Sequence, residues 1–275
     1  MFETIDFDER FADYTTKWME THRSEYRNLD AMEAEIPNVY RQFLNTPAAW
    51  LDGITPGAYF TQYEDPKDLV DWLIAYCEAG VSVPELLMEQ IEAVGKPCEK
   101  RLVALLKDEN ANIDAKMTAI GLLRNLNSTQ PKMLYINWQI NREAEDELAD
   151  SAIDSLSEMG SSVVQPMLEA LPKANQNGQI ALLDVLVRYP ANDLVYKTAI
   201  RLFRENKDGR ALFAGYLAKL GDERALNDLE KAARDPETGY VEFIEIRAAI
   251  ERLGGIAPER DFSGDPDYEV LRGME

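Results

Sequence analysis

The sequence contains a single histidine, His22, among its 275 residues. One imidazole excludes metal sites built from several histidines, and a Ser-His-Asp or Cys-His catalytic arrangement would have to use His22 itself. His22 lies in the segment TKWMETHRSEYR, whose apolar spacing and charge predict an amphipathic helix. We interpret it as a surface or hydrogen-bonded helix histidine, and we expect no metal centre, no cofactor and no catalytic activity.

Cysteine is also scarce. The two cysteines, Cys77 and Cys98, both lie in helix-like surroundings, and no second pair accompanies them. This pattern argues against a disulfide framework or a thiolate zinc site, and it fits a reducing compartment. We therefore interpret both as buried, inert thiols and expect a cytoplasmic protein.

Long apolar runs are absent as well. No run approaches the roughly 20 residues that a membrane-spanning helix needs. The first ten residues, MFETIDFDER, show neither the basic nor the apolar region of a signal peptide. We expect a chain that has no signal peptide and does not span a membrane.

Basic residues are few beside acidic ones. The chain has 29 Lys and Arg against 50 Asp and Glu, and its net charge is -21. Such a charge disfavours nucleic acid and anionic membranes as partners of the whole molecule. The apolar content of 45% and the charged content of 29% are typical of a globular chain of one or two domains.

From residue 84 onward the chain contains a repeated sequence pattern. An amphipathic helix ends in an apolar residue, a turn residue follows, and a second helix begins. Subtracting the numbers of successive turn residues gives steps of 32, 33, 30, 31 and 33. Gly and Asn tolerate the left-handed conformation that ends a helix, and Pro cannot continue one. The six turn residues are Gly95, Asn127, Gly160, Pro190, Gly221 and Gly254.

One segment of this region is ambiguous. Apolar residues alternate along KMLYINWQI (132–140) as in a strand, and its side chains have high strand propensity. Met133, Ile136 and Ile140 also share one face of a helix. Because the repeat places a helix here, we predict a helix.

The phrases EAVG, SEMG, AKLG and ERLG, with an amphipathic helix on each side, resemble HEAT repeats, in particular the short HEAT-like repeats also seen in phycobilin lyases. The resemblance covers residues 84–254. It implies an all-α fold, an α-solenoid of about five to six helical hairpins whose second helices line a concave surface. Tetratricopeptide repeats have a similar period and rank second, because their Trp, Gly, Tyr and Pro signature does not recur here.

The two ends of the chain depart from the repeat. A solenoid needs its terminal apolar faces covered, so we predict that residues 1–83 form a helical N-terminal cap. Its helices are expected from about Asp8 to Asn28, from about Asp30 to Leu44 with a break at Pro37, and from about Pro66 to Ala79.

Residues 255–275 form an acidic C-terminal tail that is rich in Gly, Pro and Asp. Two arrangements are open. The tail is either loose, or it lies across the last repeat through Phe262, Tyr268 and Leu271.

The first candidate site is a basic stripe within residues 188–210, a window of net positive charge. Lys197, Arg201 and Arg204 are spaced i, i+4 and i+7, so they share one face of the second helix of a repeat. The HEAT-like resemblance places such helices on the concave surface, where the stripe would hold an acidic peptide or a phosphate. The alternative is a solvated face, or pairing with acidic residues of neighbouring repeats.

A second candidate is the pair Tyr135 and Trp138, three residues apart on the predicted helix. The resemblance places this face in the concave row as well, and aromatic side chains are good interface anchors. The alternative is a place in the core between repeats.

A third candidate is the segment AAWLDGITPGAYFTQY (48–63), with Trp50, Asp52 and Tyr59 as its binding residues. Aromatic, glycine-containing loops on rigid scaffolds often bind ligands. The alternative is a cap whose rings pack on the first repeat, and we interpret the segment in that way first.

The acidic cluster REAEDELAD (142–150) has no glycine in the turn that a calcium loop requires, so we interpret it as a charged helix start. Two enzyme families with HEAT-like repeats are disfavoured by the sequence. Deoxyhypusine hydroxylases need His-Glu pairs, which this chain lacks, and HEAT-like DNA glycosylases need a basic groove, whereas this chain is strongly acidic.

The leading prediction is a non-catalytic scaffold that binds a protein or peptide on its concave face.

The alternative function is a small-ligand carrier or a lyase-like HEAT-repeat enzyme that binds a ligand in the concavity. For a protein partner, the overall acidity favours a basic one, whereas the basic stripe favours an acidic segment. The sequence leaves this choice, and the oligomeric state, open.

Overall fold

A computed structural model describes residues 3–273, and this part of the chain contains 17 α-helices and no strand. The prediction of an all-α fold is confirmed. None of these helices is both long enough and apolar enough to cross a membrane. The chain divides into two compact units, one up to Pro131 and one from Lys132 onward. The predicted boundaries at residues 83 and 254 stay predictions.

The first unit contains eight α-helices, and several begin where the sequence supplies an N-cap. The Asp6 carboxylate accepts a hydrogen bond from Glu9 N at 2.9 Å before α1, and that of Asp65 accepts one from Lys67 N at 2.8 Å before α5. The helices are α1 Phe7–His22, α2 Leu29–Glu33, α3 Ile36–Asn45, α4 Pro56–Tyr59, α5 Pro66–Ala79, α6 Glu85–Val94, α7 Lys96–Lys107 and α8 Ile113–Asn125.

The predicted break at Pro37 is present as the gap between α2 and α3. Pro37 lies in the first turn of α3, where a missing backbone N–H leaves no bond unmade. Helix α5 has the predicted bounds, since Asp65 caps its start and Gly80 ends it in the left-handed conformation at φ 66°.

The core of the first unit is rich in aromatic rings. Phe60 is buried, with its ring centroid 5.4 Å from that of Phe7 and 5.0 Å from that of Trp72. Two hydrogen bonds between residues distant in the sequence hold the N-terminal segment onto α5. Trp72 Nε1 donates to the Glu3 carbonyl at 2.9 Å, and the Tyr76 hydroxyl donates to the Ile5 carbonyl at 3.0 Å. The segment 48–63 therefore contributes a core ring, as the cap interpretation expects.

The second unit contains nine α-helices, and the ambiguous segment 132–140 is one of them. Asp146, Asn175 and Asn192 cap the starts of α10, α12 and α13. The helices are α9 Lys132–Ile140, α10 Glu147–Glu158, α11 Val164–Ala170, α12 Gln176–Leu186, α13 Asp193–Glu205, α14 Arg210–Leu220, α15 Leu226–Arg234, α16 Tyr240–Arg252 and α17 Pro266–Arg272.

The six predicted turn residues all lie between helices. Pro190 lies in the loop between α12 and α13. The other five have a positive φ: Gly95 at 73°, Asn127 at 52°, Gly160 at 65°, Gly221 at 68° and Gly254 at 82°. Within the units, helices two apart along the chain also touch, as α6 does with α8, α10 with α12, and α14 with α16.

A polar network is buried where α9, α10 and α12 meet. The Gln139 side-chain amide donates to the Ala149 carbonyl at 2.9 Å, and Arg142 Nη1 donates to Gln139 Oε1 at 3.0 Å. Arg142 also pairs with Asp150, and its carbonyl accepts a hydrogen bond from the Asn175 amide at 2.8 Å. Satisfied groups of this kind fix one arrangement of helices, because leaving any of them unpaired in the core is costly.

The C-terminal tail lies against α16. The Phe262 ring centroid is 4.9 Å from that of Phe243, and the Tyr268 centroid is 5.0 Å from that of Tyr240. Leu271 takes no such part, since it is 48% exposed. Of the two arrangements that the sequence left open, the structure shows the docked one, through Phe262 and Tyr268.

Candidate functional site

The three residues of the basic stripe lie on α13, and each is paired with an acceptor in this structure. Lys197 pairs with Asp193 at 2.7 Å, and Arg201 with Glu205 at 2.5 Å. Arg204 donates two hydrogen bonds to the Asp228 carboxylate of α15, at 2.9 and 2.7 Å.

The other cations of the 188–210 window are paired in the same way. Arg188 pairs with Asp184 at 2.6 Å, and Lys207 with Glu237 at 2.7 Å. Arg210 lies 3.8 Å from Asp235 and 3.6 Å from Glu242. Every cation of the window therefore has a carboxylate beside it. Arg204, Lys207 and Arg210 pair with residues beyond α14, as the alternative of pairing with neighbouring elements expects. The other three form local pairs with a residue four positions away.

Tyr135 and Trp138 lie side by side on α9, with ring centroids 5.6 Å apart. Tyr135 is completely buried, however, and only Trp138 is partly exposed. A buried ring cannot meet a partner at the surface, so the burial favours the core alternative for Tyr135. Trp138 alone remains accessible.

The acidic cluster 142–150 has structural partners. The Asp146 carboxylate accepts a hydrogen bond from Ala149 N at 2.9 Å at the start of α10, and Asp150 pairs with Arg142. Over residues 3–273, no three His, Cys, Asp or Glu side chains come together in a way that could hold a metal ion.

The histidine and the two cysteines have structural surroundings. His22 Nδ1 donates to the Trp18 carbonyl at 2.8 Å, and the two rings stack with centroids 4.7 Å apart. Burial raises the pKa of the Cys98 thiol to about 11 and also raises the pKa of Cys77. At neutral pH both cysteines are therefore thiols rather than reactive thiolates.

The segment 48–63 folds into short helical turns, and its predicted binding residues have different environments. Trp50 is half-buried, with its ring 5.4 Å from Phe7 and 6.4 Å from Phe43. Tyr59 is also half-buried, and burial raises the pKa of its hydroxyl. Asp52 is exposed, in the left-handed conformation at φ 53°, and it does not line the cleft beside Trp50.

A cleft opens beside Trp50, between α1 and residues 46–50, and we call it the N-terminal cleft. Its volume is about 260 Å³. Arg10, Tyr14 and Lys17, spaced i, i+4 and i+7, form the wall on α1, and Trp50 and Phe43 contribute rings opposite. The sequence interpretation missed this wall because charged residues on an amphipathic helix are usually only solvated.

The two cations of this wall differ from those of the basic stripe. Over residues 3–273 neither Arg10 nor Lys17 forms an ion pair. The Arg10 guanidinium lies 5.5 Å from the centre of the Trp50 ring, within the range of a cation–π contact. Asp13 also lines the cleft, so two cations and one carboxylate lie beside its aromatic rings.

Comparison of the chain with models of protein families, with curated proteins and with solved structures finds no match. The resemblance to HEAT-like repeats therefore stays a prediction that rests on the residues themselves.

Proposed function

We propose that this protein is a non-catalytic, protein- or peptide-binding module, and that the N-terminal cleft takes a side chain of the partner. The observation that carries the proposal is the wall of α1, where Arg10 and Lys17 have no carboxylate partner and flank the rings of Tyr14 and Trp50. Arg, Tyr and Trp are the side chains most enriched at the energetic centres of protein interfaces.

The scaffold that we propose is an α-solenoid of HEAT-like hairpins with a helical N-terminal cap. Three observations support it: the near-constant spacing of the turn residues, the positive φ of five of the six, and the contacts between helices two apart within each unit. Repeats of this kind stack so that each buries the apolar face of its neighbour.

The chemistry of the cleft indicates what it binds. An apolar or aromatic side chain fits between Tyr14 and Trp50, and a neighbouring carboxylate on the partner would pair with Arg10 or Lys17. The volume of about 260 Å³ is smaller than the roughly 300–1,000 Å³ of typical small-molecule sites. A side chain therefore suits the cleft better than a ligand as large as a tetrapyrrole.

The remaining features agree with a binding role inside the cell. The chain has one histidine, which stacks on Trp18 and does not line the cleft. The buried, reduced cysteines agree with a cytoplasmic location.

The test is to select peptides from a display library on the wild-type protein and to measure their dissociation constants for two variants. In the first variant Arg10→Gln and Lys17→Gln are combined, and we expect binding to weaken about tenfold or more because charge-assisted contacts are lost. The control combines Lys197→Gln and Arg201→Gln, whose cations already have partners in the chain, and it should bind like the wild type.

Equal affinity of both variants would overturn the assignment of the N-terminal cleft. Stronger loss in the control would restore the basic stripe as the site. Mass spectrometry of the purified, denatured protein provides the complementary measurement, since a stoichiometric small molecule released on unfolding would favour the carrier alternative.

A further inference from the structure

A second cleft lies in the other unit, between α16 and residues 255–262, and we call it the C-terminal cleft. Its volume is about 650 Å³. Ile256 lies on the wall formed by residues 255–262 and is 87% exposed, and Ile244 lies on α16 and is 38% exposed. Tyr240 and Phe243 also line the cleft. Two large aliphatic side chains thus face solvent in a recess with aromatic walls.

The segment that carries Ile256 is firmly anchored. Arg260 Nη1 donates to the carbonyl of Ala233, in the last turn of α15, at 3.2 Å. It also donates to the carbonyls of Asp235 and Thr238, which follow α15, at 2.9 and 3.1 Å. Its guanidinium also lies 4.7 Å from the centre of the Phe262 ring. Arginine bound to the free carbonyls of a helix end holds the chain on both sides of that end.

The turn before Ile256 is fixed by two glycines. Gly254 has a φ of 82°, and a Cβ on Gly255 would lie 2.7 Å from Leu226 Cδ2 and 2.9 Å from Ile250 Cγ2. The backbone is therefore packed tightly underneath while the Ile256 side chain points outward. Contiguous apolar surface that a rigid turn holds in solvent is characteristic of an interaction site.

The charges around the cleft are predominantly acidic. Arg247 already pairs with Glu251 at 2.8 Å, and Arg260 is occupied by backbone carbonyls. Glu259 and Asp261 also line the cleft, and neither forms an ion pair over residues 3–273. A second copy of a chain with a net charge of -21 would be repelled, whereas a cationic segment would be attracted.

We propose that the C-terminal cleft binds a short amphipathic segment of another protein, in which apolar side chains are flanked by Lys or Arg. The apolar side chains pack on Ile244 and Ile256, and the cations face Glu259 and Asp261. This inference does not depend on the N-terminal cleft, because the two sites share no residue.

The experiment places a reporter in the cleft. Since Cys77 and Cys98 are both buried, Ala257→Cys introduces a thiol on the wall of the cleft for an environment-sensitive fluorophore, and it leaves Ile244 and Ile256 in place. The probes are a helical peptide with one leucine face and one lysine face, and a matched peptide with glutamate in place of lysine. We expect the lysine peptide to change the emission with saturation, more weakly at high salt, and the glutamate peptide to leave it unchanged.

Affinity is then measured on unlabelled variants, with the lysine peptide carrying the fluorophore. Ile244→Ser and Ile256→Ser should each weaken binding about tenfold, whereas the control Ile113→Ser, at a 52% exposed site in the other unit, should not change it. The Arg10→Gln, Lys17→Gln variant should also bind the lysine peptide normally, so failure of one site is distinguishable from failure of the other.

Equal binding by the serine variants and the control would overturn the proposal, since the peptide would then follow net charge alone. Preference for the glutamate peptide would overturn the chemistry of the occupant. Sedimentation of the unlabelled protein provides the last outcome: a dimer that Ile256→Ser abolishes would identify the occupant as a second copy and would contradict the proposed basic partner.

Discussion

Gly178 on α12 lies directly against the main-chain carbonyl of Gln139 on α9. A Cβ at position 178 would come within 1.8 Å of the Gln139 oxygen, closer than any real contact. The two helices therefore meet backbone to backbone, next to the buried network of Gln139 and Arg142. The absence of a side chain at position 178 is what permits this approach.

The Gly178→Ala variant should accordingly lose stability. To make room, α12 must move away from α9, and we expect a loss of about 3 kcal/mol or more in the free energy of unfolding, as for severe overpacking. Urea denaturation followed by circular dichroism measures it. Gly215→Ala on α14 is the matched control, because a Cβ there meets nothing within 4 Å and helix propensity predicts a gain of about 0.5–1 kcal/mol. A stable Gly178→Ala variant would contradict the backbone contact.

The pair Arg204 and Asp228 joins α13 to α15, but it lies at the surface. Arg204 is 58% exposed, so solvent and side-chain entropy offset most of the attraction between the two charges. A double-mutant cycle with Arg204→Ala and Asp228→Ala should give a coupling energy of about 0.5 kcal/mol that declines as salt is added. A coupling of several kcal/mol, insensitive to salt, would show that the pair is a main support of the fold.

Two rings of segment 48–63 should differ in their importance for stability. Phe60 is 1% exposed and contacts Phe7 and Trp72, so Phe60→Ala should lower the free energy of unfolding by about 3–5 kcal/mol. Trp50 is half-buried at the N-terminal cleft, and we expect Trp50→Ala to lower it by about 2 kcal/mol. Chemical denaturation compares the two, and a reversed order would show that Trp50, not Phe60, is the principal core ring of the segment.

Alkaline pH should destabilise the protein through its buried tyrosines. Burial raises the pKa of Tyr76 and of Tyr216 above the ordinary value of 10.0. Below pH 10 both states are protonated and stability is unaffected. Above pH 10 the unfolded state loses these protons while the folded state keeps them, so stability falls as pH rises.

Urea midpoints measured from pH 8 to pH 11, together with tyrosinate absorbance, test this expectation. Tyr76→Phe removes one ionisable group and should make the decline with pH shallower, although losing the hydrogen bond to the Ile5 carbonyl costs about 1 kcal/mol at every pH. The same decline in the wild type and in Tyr76→Phe would mean that Tyr76 does not contribute to it.

Helix positions were largely predictable from the sequence, because they depend on neighbouring residues. The cap Asp65 and the terminator Gly80 set α5 at its predicted bounds, and Asn127, at φ 52°, lies beyond the end of α8 as the turn pattern required. In residues 132–140 the repeat predicted a helix where local strand propensity pointed the other way, and a helix is present. Tertiary packing overrides such propensities.

Only the tertiary structure decides which partners the charged and the packed side chains contact. The sequence by itself determined that Lys197, Arg201 and Arg204 share a helix face, but the Asp228 partner of Arg204 comes from another helix, 24 residues away. Likewise, Arg10 and Lys17 line a cleft only because segment 46–50 folds back beside α1, and Gly178 matters only because α9 touches it. Local periodicity specifies which side chains share a face, whereas the rotation and crossing of helices decide what that face meets.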